Sequence, residues 1–337
     1  MKKAAYILLP LVSLGILAGC SADPATAVEG EYTLEAQSVQ INGVIINMGD
    51  WPGASVSIAG TGESSADVSI DSLLLGFEEL SVPCEVSRTD RDKYSFYGAY
   101  SGQDREIELN GSVNKGRLSL SITDLYTTEA AGRWRPSSAE DGLADLHITF
   151  ECTAISGIPL GDTTISLETA VALANTALRT ALTPVLDHLD YMELSRTGYI
   201  NIAWSGDISD ALRPLLQDVI QYWPDPEQGQ LHLYLRRTLT DGLGLPVSPL
   251  DVPAGCTVSG SDMTLTLDKT ALKPFADMLL SAAGDLSYSD YTEAGSPLGD
   301  LTETQFDEYK ALLPLIQGVL AMPSTTYGAE IIFEKTE

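Results

Sequence analysis

From Ile107 to Ile122 the chain alternates apolar and polar residues on both sides of one turn. Ile107, Leu109, Gly111 and Val113 lead into Asn114-Lys115-Gly116, and Leu118, Leu120 and Ile122 lead out. A period of two matches a strand with one face buried, and the turn residues make two such runs an antiparallel pair. That pattern commits this region to a half-buried antiparallel sheet. Val39 to Ile41, Asn42-Gly43, and Val44 to Ile46 predict a second hairpin with a type I′ turn, because Asn-Gly accepts positive φ. Val82, Cys84 and Val86 share one face of another strand. After a turn near Asp90, Tyr94, Phe96 and Tyr100 do the same. Leu146, Ile148, Phe150 and Cys152 alternate likewise. Many short strands with regular turns predict a barrel or a sandwich.

The N-terminus carries a different kind of signal. Lys2 and Lys3 precede an apolar run from Tyr6 to Ala18, which ends in Leu17-Ala18-Gly19-Cys20. The run is shorter than the roughly 20 residues a helix needs to cross a bilayer. It has the form of a cleaved leader. The four residues resemble the lipobox of bacterial lipoproteins. This resemblance implies that Cys20 is the lipidation site and the first mature residue, and that several acyl chains anchor it to a membrane. The expected location is the cell envelope, lipid-anchored at the outer membrane, with the face left open.

The composition limits partners. The net charge is −28, and loss of Lys2 and Lys3 with the leader makes it more negative still. Such a surface repels phosphate backbones and anionic lipid. No nucleic-acid partner is expected, and membrane affinity falls to the anchor. Besides Cys20 there are three cysteines, Cys84, Cys152 and Cys256. Cys84 and Cys152 both fall on apolar faces and are read either as a buried disulfide or as two inert thiols. The spacing lacks any CxxC, so no structural zinc site is expected.

A resemblance adds to the strand reading. Gly30-Glu31-Tyr32-Thr33 opens the first strand, Tyr94-Ser95-Phe96-Tyr97-Gly98 lies in the middle, and the Gly111–Leu120 hairpin follows. This order is similar to the calycin-like (lipocalin-like) lipoproteins of Gram-negative gut anaerobes. The resemblance implies a small β-barrel, in some relatives with a ligand cavity, and implies little about chemistry.

Beyond Ser156-Gly157-Ile158-Pro159-Leu160-Gly161 the period changes. Leu167, Val171, Ala174, Leu178, Leu182, Val185 and Leu189 recur at helical spacing. An Ala-Leu-x-Pro-apolar phrase recurs at Ala181, Ala211, Ala271 and Ala311. The spacings are unequal, so no solenoid is expected. Proline fits the first turn of a helix or a kink. Kinks are expected at Pro184 and Pro314, and Thr270 is expected to cap the third helix. Strand-like runs at Tyr199–Trp204, Leu231–Arg236, Met263–Leu267 and Ala329–Glu334 separate the helices. The expected organisation is a leader over 1–19, a lipidated tether over 20–28, an antiparallel calycin-like β-barrel over 29–155, a linker over 156–165, and an α+β domain with four Pro-containing amphipathic helices over 166–337.

No residue is assigned a catalytic role. The histidines His147, His188 and His232 lack metal-site spacing, and His147 and His232 are expected to point to solvent. Ser112-Val113-Asn114-Lys115 spells a Ser-x-x-Lys pattern but crosses a turn, whereas that chemistry needs a helix. Asp285, Asp290, Glu293 and Asp300 read as a solvated loop without EF-hand order. No metal and no cofactor is expected. The aromatics are the best binding candidates, because their faces stack on sugars or line apolar pockets. Tyr94, Phe96, Tyr97 and Tyr100 form one group, accompanied by Trp51, Trp204 and Trp223, with core packing the plainer reading for Tyr94 and Phe96. Trp134, between Arg133 and Arg135, is read as an exposed contact loop. The leading reading is a non-enzymatic envelope binding protein for a glycan or a lipid-like apolar ligand. The alternatives are an assembly component with an envelope protein partner, and a carboxylate-dependent hydrolase.

Overall fold

The computed structural model describes residues 23–35, 37–48, 51, 53–155, 157–160, 163–205, 220–242, 244–245, 247–293 and 302–336. The leader, Cys20 and the Ala211–Leu215 phrase lie outside these residues. The chain is mostly β, with a nearly closed β-barrel sheet. It divides into two compact units, one over residues 1–101 and 107–123, the other over 102–106 and 124–337.

The first unit is one nine-stranded sheet. Its strands are β1 (Gly30–Tyr32), β2 (Val39–Ile41), β3 (Val44–Ile45), β4 (Ser55–Gly60), β5 (Ser65–Asp71), β6 (Glu79–Asp90), β7 (Lys93–Ser101), β8 (Arg105–Asn114) and β9 (Arg117–Tyr126). They lie in the order β1-β4-β5-β6-β7-β8-β9-β2-β3. Val56, Val68, Val82, Phe96, Leu109 and Leu120, one from each strand from β4 to β9, join a single continuous core. A wide sheet that gathers one face around one core has to curl on itself. The Asn42-Gly43 hairpin is as expected: φ is 51° and 80° at the two positions, and Ile41 pairs with Val44. Joined to it, β2 runs parallel to β9, with Val39 opposite Leu120. The tether expected to reach Val28 is shorter, because Pro24–Val28 forms a helix, α1. Its Ala25 and Val28 are buried in the first core.

The second unit combines a sheet with helices, as the expected α+β layout has it, and the strand-like runs expected at Tyr199–Trp204, Leu231–Arg236, Met263–Leu267 and Ala329–Glu334 fall on its strands. Its strands are β10 (Gly132–Pro136), β11 (Leu146–Cys152), β14 (Leu189–Leu194), β15 (Ile200–Trp204), β16 (Ile220–Asp225), β17 (Gln230–Leu235), β18 (Leu250–Ser259), β19 (Asp262–Leu267) and β20 (Thr325–Lys335). The order is β15-β14-β10-β20-β19-β18-β17-β16. Long β20 also pairs with β11. The two outer strands approach each other through a Tyr199–Gln221 bridge, and the Tyr222 N–H donates to the Gly198 carbonyl (2.8 Å). Gly198 is needed there: its φ is +81°, and a Cβ would stand 2.6 Å from the Tyr126 ring. Trp134, Tyr222, Tyr126, Leu194 and Met263 fill the interior.

The boundary expected at residue 155 therefore falls elsewhere. β10 and β11 were grouped with the first barrel because they alternate as its strands do. Alternation fixes which residues are buried but not which sheet the strand joins. The expected linker is partly a small hairpin, β12 (Gly157–Leu160) with β13 (Thr163–Ser166).

Six helices are found among the described residues. Besides α1 these are α2 (Leu167–Leu186), α3 (Arg237–Gly242), α4 (Lys269–Asp285), α5 (Tyr288–Glu293) and α6 (Glu303–Ala321). α2 continues past Pro184, and Pro274 and Pro314 lie inside α4 and α6. The cap of α4 is Asp268, which accepts from the Ala271 N–H, and not Thr270. Asp precedes the helix in extended backbone, where its short carboxylate reaches the third N–H. Thr302 and Gln305 form a capping box on α6. α2 covers the open side of β11: the Asn175 amide donates to the Ile148 carbonyl (2.8 Å), and Arg179 Nε donates to Ala144 O (2.9 Å).

Candidate functional site: a polar groove on the first sheet

The alternation that fills the first core aims the intervening residues outward. On β6 these are Glu85 and Ser87, on β7 Ser95 and Tyr97, and on β8 Asn110. They line a concave site of ≈ 570 Å³ with Ser64 and Ser65, over Val86, Phe96 and Gly111. That volume lies in the range of small-ligand sites, although most such sites are more apolar. Glu85 faces Tyr97 across the β6–β7 pair, and Ser87 faces Ser95. Ser65 faces Glu85 from the other side. Ser65, Glu85 and Tyr97 thus form one row across three adjacent strands. The Ser87 and Ser95 hydroxyls are bonded to each other (2.9 Å). Tyr97 is 48% exposed, while its neighbour Phe96 is 2% exposed.

The expected site residues fall as follows. Phe96 is core, 2% exposed, with its ring tip over Gly111. Tyr94 and Tyr100 are half-buried against the first core, and Tyr100 meets Phe77 edge-on (5.7 Å). Of the four grouped aromatics, the one that faces the groove is Tyr97. Strand alternation separates it from its neighbour: where Phe96 points in, Tyr97 points out.

Trp134 is not an exposed contact. It is fully buried, and its Nε1–H donates to the Ala130 carbonyl (2.8 Å). Arg133 and Arg135 flank it on the outer face and are held by Glu193 (3.4 Å) and Glu334 (3.1 Å). The Arg-Trp-Arg run is a strand of alternating faces, and an expected loop contact is a core plug.

Cys84 and Cys152 are not a disulfide. Both are free thiols, and they belong to different sheets. Burial, with Asp67 nearby, pushes the Cys84 thiol up to about 12. Cys152 lies against Thr325 (3.2 Å). Cys256 is also free.

His147 is exposed, as expected, beside Asp145 (3.0 Å). His232 differs. Its ring stacks on Trp223 (3.8 Å between centroids), Nδ1 bonds Asp251 (3.0 Å), and the side chain is 14% exposed. No cluster of three or more metal-ligating side chains occurs among the described residues. Asp290 was read as part of a solvated loop, yet it lies in α5 and accepts from Ser287. Asp300 lies outside the described residues.

No family model, no curated protein and no solved structure matches this chain.

Proposed function

We propose that this chain is a non-enzymatic binding protein of the cell envelope, tethered through a lipid on Cys20 to the outer membrane. The observation that carries the binding role is the groove over β6, β7 and β8, where polar side chains and one open aromatic ring converge. The tether rests on Leu17-Ala18-Gly19-Cys20. A calycin-like identity for the first barrel belongs to the same reading and draws on the curled sheet and the order of its strands. Hydrolysis of a glycoside needs two carboxyl groups facing across the bond. The groove lining supplies one, Glu85, which favours binding over turnover.

Native mass spectrometry of protein taken from its own membranes tests the binding role. A small molecule that co-purifies, and that raises the melting temperature when added back, supports it. An empty protein that no ligand stabilises overturns it. The tether is tested by Cys20→Ala, which should move the protein from the membrane fraction to the soluble one.

A second reading, an assembly component, is favoured by one observation. Leu279 on α4 and Leu315 and Ile316 on α6 are 62%, 49% and 42% exposed. Exposed apolar side chains that gather into one contiguous patch mark partner interfaces, whereas scattered ones do not. Cross-linking in intact cells tests it: a discrete partner band lost on Leu279→Glu supports assembly, and its persistence argues against this face.

A further inference from the structure

We infer that the groove on β6, β7 and β8 is built for an uncharged oligosaccharide, with Tyr97 as its stacking platform. This deepens the binding role proposed above and rests on it. Three observations favour that ligand class over the others.

The first is charge. Among the described residues the groove lining contains no Lys or Arg, and its one charged group is Glu85. The whole chain carries −28. An anionic ligand, whether a uronate, a sialylated sugar or a phosphate, would meet repulsion with no cation to offset it.

The second is the kind of polar group. Ser64, Ser65, Ser87 and Ser95 offer hydroxyls, Asn110 an amide and Glu85 a carboxylate. Glu85 and Asn110 make no side-chain hydrogen bond or ion pair among the described residues, so their bonding capacity is open to a ligand. A carboxylate accepts from two donors at once, and an amide both donates and accepts. Adjacent hydroxyls on a sugar ring fit both. A fatty acid would leave these polar groups unpaired, at a cost.

The third is geometry. Ser65, Glu85 and Tyr97 stand in register on three neighbouring strands. Strands are spaced by about 4.8 Å, close to the advance of one sugar ring along an extended chain. Tyr97 presents a rigid ring that loses little freedom on binding, and the C–H face of a pyranose packs on such a surface. The row therefore suits a short run of rings lying across the strands, one end on Tyr97 and the middle over Glu85.

The test is saturation-transfer NMR and titration calorimetry on the full chain. The probes are maltotriose, cellotriose, laminaritriose and triacetylchitotriose, with trigalacturonate, trilysine and palmitate as contrasts. At least one uncharged trisaccharide should bind. Tyr97→Ala should weaken it by about tenfold, the weight of one aromatic contact, while Tyr97→Phe retains it. Tyr97 is exposed, so neither change should disturb folding, and circular dichroism with thermal melts confirms that. Binding of trigalacturonate, trilysine or palmitate that depends on Tyr97, without an uncharged sugar, overturns the oligosaccharide class but leaves the groove a binding site. Uncharged sugar binding that Tyr97→Ala does not change overturns this placement. No binding by any probe overturns the inference, and a ligand then found by native mass spectrometry would keep the broader binding role.

Discussion

Arg105 grips Asp124 with two parallel hydrogen bonds, Nε to Oδ1 at 2.7 Å and Nη2 to Oδ2 at 2.6 Å. Both side chains are 9% exposed, and the guanidinium lies 4.8 Å from the centre of the Tyr126 ring. Planar Arg meets a carboxylate as a fork meets a fork, which fixes orientation as well as distance. Tyr126 in turn packs on Tyr222 (5.3 Å) in the second core.

Removing one partner of such a pair strands the other. Arg105→Ala should lower unfolding free energy by about 3–5 kcal/mol, because buried Asp124 loses its cation and two charge-assisted hydrogen bonds. Replacing both, as Arg105→Met with Asp124→Leu, should cost far less. Urea unfolding of the two single variants and the double variant measures the difference. Single losses no larger than the double would sink this account.

Trp134 makes a similar test of the second barrel. Trp134→Phe keeps an aromatic ring but removes the donor to Ala130 O, leaving a buried carbonyl unpaired. A loss of about 2 kcal/mol or more is expected from the missing bond and the smaller ring. If Trp134 were an exposed contact, the same change would leave stability untouched. Chemical denaturation decides between the two.

Much of the fold was legible because burial follows alternation. Leu109, Leu118 and Ile122 are buried as their spacing requires, and Asn42-Gly43 turns where expected. Sheet membership was not legible. Trp134 pairs with Lys335 across some 200 residues of chain, and nothing local to either residue records that. Four strands of the second sheet were legible as runs between helices, but their union with β10, β11 and β14 in one sheet was not, because the partners are far apart in the chain. The groove was half legible. Tyr97 stood among the candidate aromatics and period two separates it from Phe96, but the meeting of Ser65, Glu85 and Asn110 depends on strand order.

Gly111 exists to admit the Phe96 ring. A Cβ at this position would stand 2.0 Å from Phe96 Cζ, and the ring is enclosed by the core. Gly111→Ala should therefore cost about 1–3 kcal/mol through overpacking. Adding Phe96→Leu should return part of that loss, since it withdraws the atoms that clash. A double-mutant cycle reads the coupling directly. Additive losses would show that the two residues do not oppose each other.

Lys269 ties the start of α4 to the end of α6. Its Nζ donates to the carbonyls of Met322 (2.7 Å) and Thr325 (2.9 Å). A cation there also complements the negative end of the helix dipole. Lys269→Met keeps the stem and removes the charge and donors, so about 1–3 kcal/mol should be lost. Hydrogen exchange should quicken in the last turn of α6 before it changes in the β-sheet. Uniform quickening would place the role of Lys269 elsewhere.

The buried thiols predict an alkaline weakness with a definite sign. Burial raises Cys84 from 9.0 to about 12 and Cys256 from 9.0 to about 11. Between those values the unfolded chain has released its thiol protons while the folded chain keeps them. The folded state then binds more protons, so stability falls as pH rises. Below about pH 8 the thiols are protonated in both states and contribute no slope. Burial also holds the Tyr126 and Tyr222 phenols above their ordinary range, and these add in the same direction. The urea midpoint should decline from about pH 8.5 to about pH 10.5, and Cys84→Ala should flatten part of that decline. The same burial should leave Cys84 unlabelled by iodoacetamide in the native protein at about pH 8, and fully labelled after denaturation without reductant. Failure to label in the denatured, unreduced chain would mean that Cys84 is oxidised, and prompt native labelling would mean that its side of the first core is open to water.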